Sequence, residues 1–367
     1  MKYLYLFIIF LLFNISAFGD LLPYEDEWTP GLFGYIDQTG KIIIPAQFRS
    51  FGLPDSMPIP FVNGMLRKMH IDSNTTTFFK TDGTEIIYNF SHMGDFSSGI
   101  TWGKMNNRFY SIKMNGESSP INYIINGIIT CYSGNFFNEG IAFIYDENYK
   151  VIAIDTSFRK LFELPVSLEN TSGRFSSGLL AVRNSRGLWG YLGITGRMAI
   201  PARYNLINLP SIGNEYINFQ GNYAILSENN SDFYIINKQG NEIKRFSLIF
   251  HSDNRKHMFI QGDFLVYKPI VNYYDEYFNI FIYNLITKEE IQLRLKKDNY
   301  GFGYPLKLGN NILCYNKIIT YDGRILTELS DFHGRVIQIW YEKYIVIHNE
   351  GYFTIYDENG KKIPVPY

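Results

Sequence analysis

Five stretches of this chain bring together residue types that could do chemistry, and each has to meet the spacing its chemistry demands. Gly34 to Lys41 resembles a phosphate-binding loop, in which a lysine and then a Ser or Thr follow the last glycine. The interval is one residue too long, and Ile42 stands where a magnesium-holding hydroxyl belongs. Gly94-Asp95-Phe96-Ser97-Ser98-Gly99 lacks the Gly-x-Ser-x-Gly order of a nucleophile elbow, and no strand-then-helix pattern surrounds it. His251 and His257 stand at one outer limit of metal-ligand spacing, but no cysteine or carboxylate lies at a matching interval. Glu289 and Glu290 alternate faces on a strand and cannot act as one acid–base couple. The fifth stretch is aromatic, from Tyr273 to Tyr283. Alternation alone would bury half of these rings. Alternatively Tyr273, Tyr274 and Tyr277 lie in a loop that lengthens its unit and form an exposed contact surface, since tyrosine joins an apolar body to a polar tip. Those three are the candidate binding residues; no catalytic, metal-ligating or cofactor-holding residue is expected.

What must position these residues is a repeat. Gly31-Leu32-Phe33-Gly34-Tyr35-Ile36 continues through Thr39-Gly40-Lys41 and Ile44-Pro45-Ala46 to Phe48. Gly187-Leu188-Trp189-Gly190-Tyr191-Leu192 continues through Thr195-Gly196-Arg197 and Ile200-Pro201-Ala202 to Tyr204, without a gap between the copies. Their offset is about four times a unit of roughly 39 residues, the range of propeller and solenoid repeats. A second marker keeps the same beat: Phe61-Val62-Asn63-Gly64, Phe96-Ser97-Ser98-Gly99, Phe137 to Gly140, and Phe175-Ser176-Ser177-Gly178. Aromatic strands ending in Asp or Asn and Gly recur between the markers, a hairpin signal because glycine takes the positive φ of the turn. Each unit therefore reads as two or three short antiparallel strands, about eight or nine times over.

Aligning the Phe-Ser-Ser-Gly segments places Trp102 opposite Ala181 and Tyr110 opposite Trp189, so Tyr110 is the expected signature aromatic of its unit. No stretch gives a capped amphipathic helix. The best helical candidate, Lys288 to Lys297, alternates with period two and reads as a half-buried strand.

Of 367 residues, 34 are basic and 35 acidic, so the phosphate attraction that drives nucleic-acid binding is missing. Lys2, the apolar run Leu4 to Phe13, and Ala17-Phe18-Gly19 have the order of a secretory signal peptide, too short to span a bilayer. Residues 1–19 are expected to be removed by cleavage after Gly19, leaving no membrane span. Residues 20–30, with Glu25-Asp26-Glu27, then read as a solvated leader, and 31–367 as the repeat domain. Export permits disulfides. Cys131 and Cys314 nevertheless sit in apolar strand contexts about four units apart, which fits two buried free thiols.

The repeat resembles the WG, or KWG, repeat of bacterial proteins: a Gly-x-Trp-Gly-Tyr-Ile-Asp-x-x-Gly-Lys core, then Ile-Pro and an aromatic, then Phe-x-x-Gly-Leu-Ala. Phe33 stands where Trp is usual, and Gly193 where Asp is usual. The resemblance implies a β-rich array used for interaction and brings no catalytic residues. Physically, Phe33, Gly34, Tyr35, Gly40, Pro45, Gly178, Trp189, Gly190, Tyr191, Gly196 and Pro201 make a folding motif: glycines for turns and close approach, aromatics for the seams between units, proline for a strand end or edge. The expected architecture is an all-β, propeller-like ring of about eight blades, with 31–48 completing the last blade beside 352–366. An open β-solenoid is the alternative. The expected function is an exported, non-catalytic scaffold, periplasmic or at the cell surface, whose partner is another envelope or extracellular protein or a glycan. A carbohydrate-binding or glycan-processing propeller is the competing class.

Overall fold

The computed structural model describes residues 20–29, 31–49, 61–68, 75–90, 92–106, 108–121, 127–129, 137–146, 148–206, 217–227, 232–247, 258–269, 276–296, 305–329, 336–349 and 352–366. The expected signal peptide, 1–19, lies outside them.

Two turn chemistries cut the chain into strands. In the first, Asp37 Oδ1 accepts the backbone N–H groups of Thr39 (2.8 Å) and Lys41 (3.1 Å), closing the hairpin between Leu32–Ile36 and Ile42–Arg49. Asp146, Asp155, Asn184, Asn237 and Asp357 cap the second and fourth following residues in the same way. The second turn is the Phe-x-x-Gly marker. Ser177 and Gly178 have φ of 55° and 80° between the bridged pair Ser176 and Leu179. Two successive left-handed residues are what a type I′ hairpin turn requires, and Asn63-Gly64, Ser98-Gly99 and Glu139-Gly140 repeat them.

These turns delimit nine antiparallel sheets among the described residues, each of three or four strands in sequence order. They span 22–49, 65–88, 92–120, 127–163, 179–204, 223–247, 258–296, 306–328 and 336–363, and are called blades one to nine here. The only helical element among the described residues is one 3-10 turn, Leu168–Asn170. In blade five the inner strand Leu179–Arg183 and the middle strand Trp189–Gly193 are buried on nearly every residue, whereas the outer strand Met198–Tyr204 is largely exposed. Middle strands thus have neighbours on both faces, and those neighbours are the adjacent blades.

The apolar clusters close the circle. Blades one and two share a core with Leu22, Tyr35, Leu66 and Phe79, and two and three one with Phe78 and Phe96. Three and four join through Phe109 and Phe137, four and five through Phe143 and Phe175, and five and six through Tyr191 and Phe219. Six and seven join through Ile235 and Leu265, seven and eight through Ile280 and Ile319, and eight and nine through Leu313 and Ile347. Blade nine then packs on blade one, with Trp340, Val346 and Ile355 in the same core as Leu22, Phe33 and Tyr35. The ring is closed, so it lacks the two uncovered end faces of a solenoid.

Four local expectations meet the structure differently. Residues 31–48 do not complete the last blade; they pair with Leu22–Glu25 as blade one. The supposed leader supplies that strand, because Leu21, Leu22 and Tyr24 bury apolar surface at 0–7% exposure. The aromatic opposite the strand position of Trp189 in blade three is Phe109, not Tyr110: Lys104 pairs with Phe109 as Arg183 pairs with Trp189, across a turn one residue shorter. And 288–297 does form a strand, Glu290–Lys296, with Ile291, Leu293 and Leu295 facing inward.

Candidate functional site

The two motif copies build the same object. In blade five Trp189 pairs with Tyr204 and Tyr191 with Ile200; in blade one Phe33 pairs with Phe48 and Tyr35 with Ile44. In each case two extra residues bulge from the outer strand, and the exposed prolines Pro201 and Pro45 stand at the bulge. Proline lacks the donor a ladder needs, which suits it to this place. The bulge folds over the motif glycine. A Cβ on Gly190 would lie 2.6 Å from both Ile200 O and Ala202 N, and one on Gly34 would lie 2.6 Å from Ile44 O and 2.7 Å from Ala46 N. Only glycine fits beneath.

The tyrosine after that glycine faces the next blade. Tyr191 meets Phe219 edge-on at 5.0 Å, and Tyr35 meets Phe61 at 5.2 Å. Each of those phenylalanines stands just before the bridged turn that opens the following blade. The Tyr191 hydroxyl also donates to Ile217 O at 2.8 Å, and burial pushes the pKa of both phenols well above the ordinary tyrosine range. The hairpin glycine faces the other way. Gly196 abuts Phe162 of blade four, and Gly40 abuts Pro364 of blade nine. The tyrosines and hairpin glycines are thus occupied with one seam or the other, and Gly34, Gly190, Pro45 and Pro201 with the bulge.

Polar contacts also cross the seam where the ring closes. Glu25 is buried; its Oε1 accepts the Gly31 N–H at 2.6 Å, and its Oε2 lies 2.9 Å from His348 Nε2 of blade nine. The His348 ring packs on Phe353 at 4.7 Å and on Phe33 at 6.3 Å. Tyr341 Oη donates to Leu21 O (3.1 Å) and accepts the Phe61 N–H (3.0 Å), linking blade nine to blades one and two. Burial raises its pKa above the ordinary phenol value. Tyr341 and Glu342 both have left-handed φ, 54° and 57°, a conformation that costs non-glycine residues about 1–3 kcal/mol each. Lys343 reaches Asp20 at 3.3 Å. Beside this seam lies a groove of about 530 Å³, with Glu25 and Glu27 on one wall, 352–354 as its floor and 362–366 on the other wall.

Comparison with known proteins meets the motif directly: the family described as WG containing repeat matches residues 33–53. These residues are a WG repeat. The match covers the first copy, whose Phe33 replaces the Trp of the name. Two solved structures are similar in fold to the chain that carries the WG repeat. One is the crystal structure of BamB from Moraxella catarrhalis, at 11% identity and TM-score 0.40, over 80% of this chain and 94% of that one. The other is a crystal structure of a eukaryotic initiation factor, at 13% identity and TM-score 0.45, over 74% of each chain. No curated protein matches. The ring of nine blades rests on the sheet order and shared cores above, which make the chain a repeat scaffold.

Of the other candidate residues, Tyr277 does not join this seam. Tyr277 is not in a loop; it opens the strand Tyr277–Asn284 and pairs with Lys296, drawn into the ladder by buried Phe278, Ile280 and Ile282. Its ring is 39% exposed, with the Arg294 guanidinium 4.6 Å above it. Tyr273 and Tyr274 lie outside the described residues, as do Cys131, His251 and His257. Cys314 is free and fully buried, and burial pushes its thiol up to about 12. Sequence reasoning missed the Glu25–His348 pair and the groove. One signal was available: Leu21-Leu22-Pro23-Tyr24 is apolar directly before Glu25, which does not suit a solvated leader. Among the described residues no group of three His, Cys, Asp or Glu side chains is placed to hold a metal ion, and no helix is long and apolar enough to cross a membrane.

Proposed function

We propose that the protein is an exported, non-catalytic scaffold that binds another protein in the cell envelope or at the cell surface. One observation carries the reading: the duplicated signature, from Phe33 to Pro201, is engaged in turns, bulges and seams. The residues that recur therefore build the ring, and the surface between them is what can differ to suit a partner. The basic–apolar–small order of residues 1–19 supports export.

Two measurements test the two halves. Mass spectrometry of the protein recovered from the envelope fraction should give a chain beginning at Asp20; an intact Met1 end in that fraction would sink the export claim. Affinity capture from envelope extract, crosslinked before lysis, should retain a stoichiometric protein partner. Turnover of a glycan by the purified ring, abolished by a single carboxylate substitution, would replace the scaffold with an enzyme.

A further inference from the structure

The groove at the closing seam has a backbone reason to exist. In blades one to eight the outer strand, or the residue just beyond it, reaches the first or second residue of its neighbour: Leu32 with Arg49, Thr76 with Tyr88, Trp189 with Tyr204, Asp232 with Ser247, Tyr277 with Lys296, Lys317 with Glu328. In blade three Ile121 N–H reaches Phe109 O, and in blade four Leu164 N–H reaches Val151 O. Blade nine departs from this. Its strand Tyr352–Asp357 is covered only from Ile355 to Asp357, by Ile363, Lys362 and the Lys361 carbonyl, and Pro364 and Pro366 follow. Val365 would face Phe353 if the register continued, but the pairing stops at Ile363.

The uncovered groups point into the groove. Asp357 donates its N–H outward to Lys361 O at 2.9 Å. Backbone groups alternate sides along a strand, so Ile355 and Phe353 face the same way. The outward N–H and C=O of Phe353 meet no described residue, whereas the equivalent Phe33 of blade one pairs with Phe48. An unpaired edge of this kind is a template for another strand. The volume, about 530 Å³, lies within the range of roughly 300–1,000 Å³ that ligand sites occupy.

We propose that this edge takes an extended segment of a partner protein, added antiparallel or parallel to Tyr352–Thr354, with a basic side chain toward Glu27 and alternate apolar side chains toward Val365. The inference rests on the scaffold reading and names its contact site. Charge selects the occupant: Glu25 and Glu27 line the near wall and Lys362 the far one, but Glu25 is already bonded to His348 and Lys362 has an interaction of its own, whereas exposed Glu27 has no ion-pair partner among the described residues. Main-chain bonds supply affinity and alternate side chains supply choice, as in other strand-addition sites.

The probe is a fluorescent, end-capped Val-Lys-Val-Lys-Val peptide titrated into the full chain by anisotropy. Saturable binding is expected, weakened about tenfold or more by E27K and for a Val-Glu-Val-Glu-Val peptide. Methylating the central backbone nitrogen, which keeps every side chain and removes one donor, should abolish it. V365W, which fills the groove, should do the same; E27K changes an exposed side chain and keeps the test valid if that variant misfolds. Absence of saturation, or equal affinity for E27K and for the methylated peptide, overturns the site. Partner capture by wild type that E27K and V365W leave intact would also overturn it, while the scaffold reading stands.

Discussion

The seam between blades five and six and the seam between blades nine and one use one packing device and differ in what is added to it. In the first, Tyr191 packs ring to ring on Phe219 and Tyr204 on Tyr234, with Trp189 in the same core, between blades that are neighbours along the chain. In the second, Phe33, Phe353 and Trp340 do the same work, and Gly40 presses on Pro364 as Gly196 presses on Phe162. Between blades five and six the directional bonds run from side chain to backbone, Tyr191 to Ile217 O and Tyr204 to Gly240 O, whereas the closing seam adds the side-chain pairs Glu25–His348 and Asp20–Lys343 and the doubly bonded Tyr341. Glu25 and His348 are 323 residues apart in sequence. Bringing such distant segments together costs loop entropy that chain neighbours do not bear. There is also a problem of identity: every blade offers a similar aromatic face, so apolar burial alone does not say which face should meet which. Directional polar contacts supply that register.

The largest effect tests what the seams share. Tyr191→Ala removes a fully buried ring and should cost about 3–5 kcal/mol in urea unfolding. Tyr35→Ala should cost a similar amount, since both rings are about 1% exposed and both face a marker phenylalanine. A Tyr35 cost below half that of Tyr191 would break the equivalence. The next test concerns what they do not share. His348→Ala leaves the Glu25 carboxylate buried without its partner across the seam, a loss of about 3–5 kcal/mol. Native-state hydrogen exchange should then show Leu22–Glu25 opening early while Trp189–Gly193 keeps its protection. Uniform loss of protection across all blades would mean that the closing seam has no separate identity.

The interior seam was legible in the sequence, and the closing one was not. Gly190 and Pro201 recur with Gly34 and Pro45 at fixed spacing, and local turns announce themselves in a few residues. What escaped was the reason for the pair: a bulge of one strand lying over a glycine of another is tertiary, and no string pattern shows that Gly190 faces Ile200 O. Glu25 escaped for a related cause. Its charge reads as solvated until a histidine 323 residues away is placed against it. The assignment of Tyr110 failed on a single residue of turn length, because a gapless alignment cannot see that blade three closes its hairpin sooner. Blade one was misplaced because its first strand had been read as leader, which left 31–48 without a partner of its own.

The smallest expected effect uses the capping position, at which the two motif copies differ. Asp37 caps the blade-one hairpin through Thr39 and Lys41, whereas Gly193 holds the same place in blade five beside Thr195 and Arg197 with no side chain. The Thr39 hydroxyl and the backbone donors hold the Asp37 carboxyl below the usual carboxylate range. A depressed folded value means that the cap contributes fully above the unfolded pKa of about 3.9 and is lost as pH falls through the lower folded value. The advantage of wild type over Asp37→Ala should therefore shrink between about pH 5 and pH 2. Gly193→Asp should import the same behaviour into blade five, where a new Cβ would find its nearest neighbours at 3.8 and 3.9 Å, ordinary contact. Gly193→Ala gains about 0.4–1 kcal/mol from reduced unfolded-chain freedom alone, at every pH. Only the excess of Asp over Ala reports the cap, and only that excess should vanish in acid. If it persists at pH 2, the two hairpins owe their likeness to backbone geometry, and the aspartate is incidental to it.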